Sequence, residues 1–281
     1  MTRIQVNDFD EARQRYREAK RGMLREMGAK LAGSWRWAAP GFDTALGKIL
    51  SSGGLDRAEC IWKTRHKEVW KCRVETPGGP KTVIYKCSIS SRPFFYAFHY
   101  SKNAREAANY RGLAALGIPV ANLLGCGDFR DGRILRRSFL VTEFAEGFRD
   151  GRAFLPGGPA AAETALCDEF LRGNLRFLAK MHEAHCTHRG FLPNNLLWRK
   201  RAGGTAPELC WIDVTSAFFC PLPEGLFARE IVRDLSTLFA AMKLDVERRA
   251  ELLRFYLEAN RRTTLRFDEL SRRVADAVAR R

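Results

Sequence analysis

One stretch of the chain, from His182 to Asp213, constrains the fold more than any other. It indicates the end of a helix, a polar loop, a short strand, a Gly-Gly turn and a second strand. The strands are residues 196–198 and 208–212, and the turn is Gly203-Gly204. Apolar runs on both sides of a Gly-Gly pair are typical of a β-hairpin. Because the loop ends on Asn195 and the second strand ends on Asp213, the hairpin would place an amide oxygen and a carboxylate where both could hold one metal ion.

Three polar residues of the loop before the first strand have a characteristic spacing. His188, Arg189 and Asn195 have the spacing of the kinase catalytic loop H-R-D-L-x-x-x-N, which an Mg²⁺-binding Asp follows later in the chain. The stretch resembles the protein-kinase-like fold, and within it the lipopolysaccharide kinase family, the Kdo and core-heptose (WaaP-type) kinases. The resemblance implies that Asn195 and Asp213 are catalytic residues and Mg²⁺ ligands. The sequence departs from the family at the catalytic Asp, whose position holds Gly190.

Three apolar or alternating runs in the first half predict an antiparallel meander, over residues 58–64, 69–75 and 82–87. The third run contains the letters VIYK, ending at Lys86, and resembles the V-A-I-K strand of kinases. The resemblance implies that Lys86 binds the nucleotide phosphates. The alternative is a lysine that protects an edge strand from aggregation. Kinases carry G-x-G-x-x-G in the first turn, whereas this chain has RHKE, so any cover over the phosphates would be looser or would depend on positive charge.

Residues 102–116 predict a helix, with Glu106 on the same face as two apolar residues. By its place after Lys86, this helix resembles the kinase helix whose glutamate pairs with the strand lysine. Glu106 is therefore the candidate partner, and the alternative is an ordinary surface glutamate. Strands over 123–128 and 138–143 follow. The resemblance implies that the segment around Glu143 is the hinge that meets an adenine, so the candidate ATP-binding residues are Lys86, Glu106 and Glu143.

The second half of the chain predicts mostly helices. A long helix over 163–185 precedes the catalytic-loop segment, and a further helix carries Asp234 near its start. The latter resembles the kinase helix whose buried Asp braces the catalytic loop. Two Arg-rich helices are predicted within 246–281. A zinc site is a disfavoured alternative, because a helical His pair that binds zinc has i, i+4 spacing. Its candidate ligands are His182, His185, Cys186 and His188.

Together these elements predict an α+β, two-lobed protein-kinase-like fold, with a small antiparallel-sheet lobe and a larger helical lobe. No single motif decides this prediction; it rests on the order of the lysine strand, glutamate helix, hinge, loop, hairpin and Asp. The resemblance covers roughly residues 58–240. The predicted division is a helical N-terminal extension over 1–55, an N-lobe over 56–144 and a C-lobe over 145–281.

The chain has 281 residues and a net charge of +16, from 48 Lys and Arg against 32 Asp and Glu. Such a surface favours anionic partners: nucleotide phosphates, acidic glycolipids, an anionic membrane face or nucleic acid. Because the arginines are spread along the whole chain, charge alone does not choose among them. The eight cysteines form no C-x-x-C pair. They are expected to be buried reduced thiols rather than disulfides or metal ligands.

No apolar run of the sequence is long enough to cross a bilayer, and the N-terminus has no apolar signal core. A cytoplasmic location is the resulting expectation. Residues 8–32 predict a basic amphipathic helix. Its favoured interpretation is a solvated helix packed on the body of the protein. The alternative is peripheral contact with the anionic inner face of the membrane.

The resemblance implies an ATP- and Mg²⁺-dependent kinase that phosphorylates a sugar hydroxyl on the lipopolysaccharide core, a related anionic glycolipid or a sugar phosphate. Gly190 lacks the carboxylate that accepts the proton of that hydroxyl, a contribution worth typically about 10²–10⁴-fold in rate. Only a base from elsewhere, such as Asp234 or His188, could replace it. A second hypothesis is a pseudokinase, acting as a scaffold or a nucleotide-responsive regulator. A third, a nucleic-acid-binding domain, is not expected, because it leaves the ordered lysine and carboxylates unexplained.

Overall fold

A computed structural model describes residues 6–27, 33–51, 55, 58–201, 203, 206–220 and 223–281. The chain forms two compact units. The sheet unit comprises Glu18–Gly112 and Ala121–Glu146, and the helical unit comprises the chain up to Arg17, Leu113–Val120 and Gly147–Arg281. The three-part division expected from the sequence stays a prediction.

The sheet unit is built on strands β1 to β6. They are β1 (Trp35–Ala38), β2 (Glu59–Lys63), β3 (Lys67–Thr76), β4 (Gly79–Ile89), β5 (Leu123–Asp131) and β6 (Ile134–Glu143). All neighbours pair antiparallel, in the order β1-β5-β6-β4-β3-β2. The predicted meander and the two following strands are confirmed. The sequence prediction missed β1, which pairs Trp35 with Asp128 far along the chain.

A short helix covers one face of this sheet. The first three helices of the chain are α1 (Val6–Glu26), α2 (Asp43–Leu50) and α3 (Lys102–Ala115). Leu46 and Ile49 of α2 are buried in one cluster with Val83 and Phe139 of the sheet. Gly127 is required where β1 and β5 meet, because a Cβ there would lie 2.4 Å from the Trp35 carbonyl oxygen. The core of the sheet unit therefore lies between α2 and the central strands.

Among the described residues, the helical unit contains the helices α4 to α7 and five short strands, which form two small sheets. The helices are α4 (Thr164–Glu183), α5 (Glu224–Ala241), α6 (Val246–Ala259) and α7 (Phe267–Ala279); the strands are β7 (Arg149–Asp150), β8 (Cys186–Thr187), β9 (Leu196–Arg199), β10 (Glu208–Trp211) and β11 (Phe218–Phe219). The helices predicted from the 3.6-residue apolar period are confirmed, since Leu175, Leu178, Leu235 and Leu238 are all fully buried.

Strands β9 and β10 form the predicted hairpin, with Leu196 opposite Trp211. Gly204 of the predicted Gly-Gly turn lies outside the described residues, while Gly203 has a positive φ of 71°. A left-handed backbone at Gly203 is typical of a tight reversal, because glycine adopts it without steric cost. The hairpin brings the end of the polar loop beside the end of β10.

The predicted N-terminal helix forms as α1, and residues 28–32 of the prediction lie outside the described residues. Its apolar side chains Tyr16 and Met23 are buried. The guanidinium groups of Arg13 and Arg17 lie over the ring of Phe219, at 4.8 Å and 5.2 Å from its centroid. This packing supports the interpretation of α1 as a helix held on the protein itself.

The structure also bears on the expectations for the cysteines and for membrane-spanning helices. All eight cysteines are free thiols, and six of them are buried, as expected for a reduced apolar role. Among the described residues, no cluster of three His, Cys, Asp or Glu side chains could hold a metal ion. A search of the same residues finds no helix with the length and apolarity that a membrane span needs.

Candidate active site

Lys86 and Glu106 form a buried ion pair in the sheet unit. The Lys86 Nζ lies 2.5 Å from the Glu106 Oε2, and Glu106 is only 1% exposed. Lys86 stands on β4, which has β3 on one side and β6 on the other. The alternatives of an edge-strand lysine and a surface glutamate are therefore wrong.

The environment of the pair defines what it can do chemically. A buried carboxylate within hydrogen-bonding distance of the lysine Nζ holds the lysine side chain in one direction. The loss of one partner would leave an uncompensated buried charge, which typically costs about 3–5 kcal/mol. The pair thus presents a fixed positive charge, of the kind that binds phosphate oxygens. Its role as a nucleotide site stays a prediction.

Glu143 makes hydrogen bonds within the sheet unit. Its carboxylate accepts hydrogen bonds from Lys81 Nζ at 2.7 Å and from Asn122 Nδ2 at 3.0 Å, and the bond from Lys81 lowers the pKa of Glu143. The backbone N–H groups of Glu143 and Phe144 donate to the carbonyls of Asn122 and Thr82. An adenine at this hinge, which stays a prediction, would have to use other backbone groups.

Asp234 braces the loop that contains His188 and Arg189 in the helical unit, as predicted. Its carboxylate accepts hydrogen bonds from the backbone N–H groups of His188 at 2.8 Å and Arg189 at 2.7 Å, and from Thr187 Oγ1 at 2.9 Å. Arg189 has a positive φ of 56°, which is unfavourable for a side chain with a Cβ. The bonds to Asp234 offset that strain and hold the loop in one conformation.

Three more buried side chains extend this network away from the loop. His182 Nε2 lies 3.2 Å from Asp234 Oδ2, and His182 Nδ1 lies 2.7 Å from the Tyr256 hydroxyl, which accepts from Asn260 Nδ2. Burial alone would raise the pKa of Asp234, but the hydrogen bonds from His182 and His188 lower it. Because the carboxylate only accepts, His182 donates from Nε2 to Asp234. Sequence reasoning missed Tyr256 and Asn260, since no motif marks them.

Arg189 is fixed by contacts of its own. It donates two hydrogen bonds to Glu230, at 2.9 Å and 2.8 Å. Its guanidinium also lies 4.1 Å from the centroid of the Phe218 ring. A bidentate pair combined with a cation–π contact leaves the side chain little freedom. Arg189 therefore supports the loop structurally.

Gly190 occupies the position of the missing base, and nothing in its surroundings requires a glycine. A Cβ there would lie 3.7 Å from His188 Nδ1 and 3.9 Å from Asn195 Nδ2, both ordinary van der Waals distances. Neither proposed substitute is available as a base. Asp234 is fully buried with both oxygens bonded, and His188 is fully buried with Nδ1 accepting from the Gly190 N–H.

Burial of His188 predicts a pH dependence of stability. Burial lowers the pKa of His188 below its usual 6.5, so the folded protein disfavours protonation while the unfolded chain allows it. As pH falls from about 6.5 towards the lowered pKa, the free energy of unfolding should fall by up to about 1.4 kcal/mol per pH unit. Urea unfolding across this range measures the slope. His188→Asn, which keeps an acceptor for the Gly190 N–H, should flatten it; equal slopes would contradict the assignment.

Asn195 and Asp213 lie on neighbouring ends of the hairpin. The N–H of Ile212 donates to the Asn195 carbonyl at 2.9 Å, which ties the residue before Asp213 to Asn195. The Asn195 Nδ2 donates to the Gly190 carbonyl at 2.9 Å, and the Asn195 Oδ1 accepts from Asn194 Nδ2 at 2.9 Å. A cation would therefore bind the second lone pair of Oδ1. Asp213 has a positive φ of 50°, and its Oδ1 accepts from Thr215 Oγ1 at 2.9 Å.

This donor set fits Mg²⁺. Mg²⁺ prefers hard oxygen ligands, and proteins usually supply one or two carboxylates while substrate phosphates and waters supply the rest. One amide oxygen and one carboxylate, on strand ends fixed by a backbone hydrogen bond, match that preference. Asn195 and Asp213 are therefore the residues that would hold such an ion.

The fold and these residues can be compared with known proteins. Among solved structures, one described as WaaP in complex with acyl carrier protein has a TM-score of 0.57 at 17% identity, covering 87% of this chain and 95% of that chain. Another, described as the crystal structure of BubR1 kinase domain, has a TM-score of 0.44 at 12% identity, covering 79% and 82%. No curated protein matches the chain. The first neighbour confirms the α+β, protein-kinase-like fold class.

A family model, the lipopolysaccharide kinase (Kdo/WaaP) family, matches residues 88–256. The matched stretch includes Glu106, the catalytic loop, the hairpin and Asp234, and it begins two residues after Lys86. The match covers more than half of the chain, and it agrees with the resemblance of the loop and of the lysine–glutamate pair. The chain therefore belongs to the lipopolysaccharide kinase (Kdo/WaaP) family.

Proposed function

We propose that this protein is an Mg²⁺- and ATP-dependent kinase that phosphorylates a sugar hydroxyl of the lipopolysaccharide core or of a related anionic glycolipid. The observation that carries the proposal is the buried Lys86–Glu106 pair, at 2.5 Å, in a member of a kinase family. Lys86 would bind phosphate oxygens of ATP, and Glu106 would orient it. Asn195 and Asp213 would hold an Mg²⁺ ion, which would supply charge neutralisation for the phosphates.

The missing carboxylate at Gly190 lowers the expected rate without abolishing the reaction. Phosphoryl transfer has a loose transition state, so positioning and charge neutralisation supply most of the catalysis. The acceptor oxygen attacks the γ-phosphorus, the bond to the bridging oxygen breaks, and ADP leaves. With glycine at the base position, the hydroxyl proton would pass to water. The proposed enzyme is therefore slow relative to one with an intact loop.

The acceptor is inferred from charge. The net charge of +16 attracts an anionic sugar lipid or sugar phosphate and disfavours a cationic acceptor. Such a glycolipid has its sugar at a membrane surface. We therefore propose a cytoplasmic protein that works peripherally at the inner membrane face.

A pseudokinase is the second candidate, and Gly190 is the observation that favours it. The glycine replaces the one residue whose loss most directly removes general-base catalysis. Under this alternative, the Lys86–Glu106 pair would serve nucleotide sensing or structure alone. The two candidates differ in whether phosphate reaches an acceptor.

Binding of Mg²⁺-ATP is expected to raise the melting temperature by about 5–10 °C. A ligand at 100 times its Kd stabilises the folded state by about 2.7 kcal/mol, which corresponds to such a shift in a chain of this size. A thermal melt with and without Mg²⁺-ATP measures it. Lys86→Met should lose the shift, because the phosphates lose their positive partner. Lys48→Met, at an exposed position of α2, should keep it.

The fold of the variant needs its own control, because Lys86→Met leaves Glu106 buried without its ammonium. The double variant Lys86→Met/Glu106→Gln removes both charges and should melt closer to the wild type in the absence of ligand. It should show no shift with Mg²⁺-ATP. A full shift in this double variant would mean that ATP binds elsewhere and would contradict the proposed roles of both residues.

A further inference from the structure

A short segment of the sheet unit exposes an unusual amount of apolar surface. Among the described residues, four of the exposed large apolar side chains lie within ten consecutive positions, 89–98. Phe94 is 73% exposed, Phe95 53% and Phe98 71%, and Ile89 is also exposed. Contiguous exposed patches of this kind generally mark a site of interaction with a protein or a membrane. We call Phe94–Phe98 the aromatic turn.

A buried hydrogen bond holds the backbone of the aromatic turn in place. Tyr96, in the middle of the turn, is buried, and its carbonyl accepts a hydrogen bond from Arg130 Nη1 at 2.8 Å. Arg130 in turn pairs with Asp128 at 2.8 Å, and both side chains are fully buried. A single turn of 3-10 helix over Phe95–Ala97 completes the arrangement. The three rings are therefore displayed by an ordered support on strand β5.

Exposed basic side chains flank the turn in the sequence, and another contacts a ring of the turn. The sequence has no acidic residue between Glu75 and Glu106, and Arg92, Lys102 and Arg105 are exposed within that stretch. The guanidinium of Arg133, on the hairpin between β5 and β6, lies 6.0 Å from the centroid of the Phe98 ring. The surface thus combines apolar rings with a cationic surround.

We propose that the aromatic turn and its basic surround dock on an anionic membrane surface. Two contributions hold peripheral proteins on membranes. One is the burial of apolar rings at the boundary between headgroups and acyl chains, and the other is the attraction of basic side chains to acidic headgroups. The rings that project are phenylalanines, which carry no hydrogen-bonding atom and gain most from an apolar medium. Nucleic acid is less well matched, since single strands bind along grooves where bases stack.

This membrane contact differs from the one weighed for the N-terminal helix. The apolar side chains Tyr16 and Met23 of α1 are buried in the protein, whereas Phe94, Phe95 and Phe98 of the aromatic turn are exposed. None of the residues of the aromatic turn is one of the proposed phosphoryl-transfer residues, so the vesicle test gives an answer whether or not the protein is an active kinase.

The test is co-sedimentation of the full chain with vesicles of phosphatidylcholine mixed with phosphatidylglycerol, and with vesicles of phosphatidylcholine alone. The wild type should bind the anionic vesicles, and salt should weaken the binding. Phe94→Ser/Phe98→Ser should lower the partition coefficient about tenfold or more. Phe94→Trp/Phe98→Trp, which keeps large rings, should retain binding. Arg92→Ser/Arg133→Ser should bind less and lose part of the salt dependence.

A matched control is Leu226→Ser/Val246→Ser, which removes two exposed apolar side chains of the helical unit and should leave vesicle binding unchanged. Equal binding by the Phe94→Ser/Phe98→Ser variant and the wild type would overturn the proposal. An absence of vesicle binding by the wild type would also overturn it. In that case, a concentration-dependent dimer that Phe94→Ser/Phe98→Ser abolishes would assign the turn to a second copy of the chain. Salt-sensitive binding to a single-stranded oligonucleotide that the same variant abolishes would assign the turn to nucleic acid.

Discussion

Under the proposed function, Gly190→Asp is expected to raise the rate of phosphoryl transfer to a glycolipid acceptor by about 10²–10⁴-fold, the usual contribution of general-base catalysis. The new carboxylate would stand at the position where the kinase loop carries its base. It would accept the proton of the attacking hydroxyl instead of leaving that proton to water. Transfer of labelled γ-phosphate from ATP, compared between variant and wild type at equal enzyme concentration, measures the change.

The structure allows this substitution, because a Cβ at Gly190 meets no atom closer than 3.7 Å. Gly190→Asn is the matched control: it adds a side chain of the same shape without a carboxylate, so the rate should stay near that of the wild type. The affinity for Mg²⁺-ATP should be nearly unchanged in both variants. If Gly190→Asp folds and binds Mg²⁺-ATP as the wild type does but transfers phosphate no faster, the pseudokinase alternative is favoured.

Asp234→Ala is expected to lower the free energy of unfolding by about 3–5 kcal/mol, as the loss of one member of a buried charged network does. The backbone N–H groups of His188 and Arg189, at 2.8 Å and 2.7 Å, would lose their buried acceptor. Each buried donor left unsatisfied costs about 1–3 kcal/mol. Equilibrium unfolding in urea measures the loss, with the slope m as a check on the two-state approximation.

The control for this variant is Asp276→Ala, which removes an exposed carboxylate of α7 and should change stability by no more than about 0.5 kcal/mol. Activity should also fall in Asp234→Ala, because the loop that carries Asn195 would no longer be held. A loss of stability as small as that of Asp276→Ala would show that the loop does not depend on Asp234.

The sequence predicts well those elements that have a clear hydrophobic periodicity or a characteristic order along the chain. The lysine strand, the glutamate helix and the hairpin each have an ordinary local pattern, and the chain order of Lys86, Glu106, Asn195 and Asp213 made the fold class predictable. Asp234 was predictable for the same reason, since it follows the hairpin on a helix with a clear apolar stripe.

Other features depend on contacts distant in sequence. Strand β1 has only four residues and exists because it pairs with β5 about ninety positions later, which no local pattern reports. Tyr256 and Asn260 look like ordinary residues of an Arg-rich helix, yet they complete the hydrogen-bond chain to Asp234. The aromatic run in the sequence could equally belong to a core; only the structure separates the buried Tyr96 from the exposed Phe94 and Phe98.

The most direct test of the proposed function is the transfer of radiolabelled γ-phosphate from Mg²⁺-ATP to a lipopolysaccharide core that lacks phosphate. The proposal predicts slow labelling of the glycolipid by the wild type, more by Gly190→Asp, and none by Asp213→Asn, which removes the carboxylate proposed to hold Mg²⁺. If neither the wild type nor Gly190→Asp labels the glycolipid above the Asp213→Asn background, while both bind Mg²⁺-ATP, the protein is not a kinase for this acceptor.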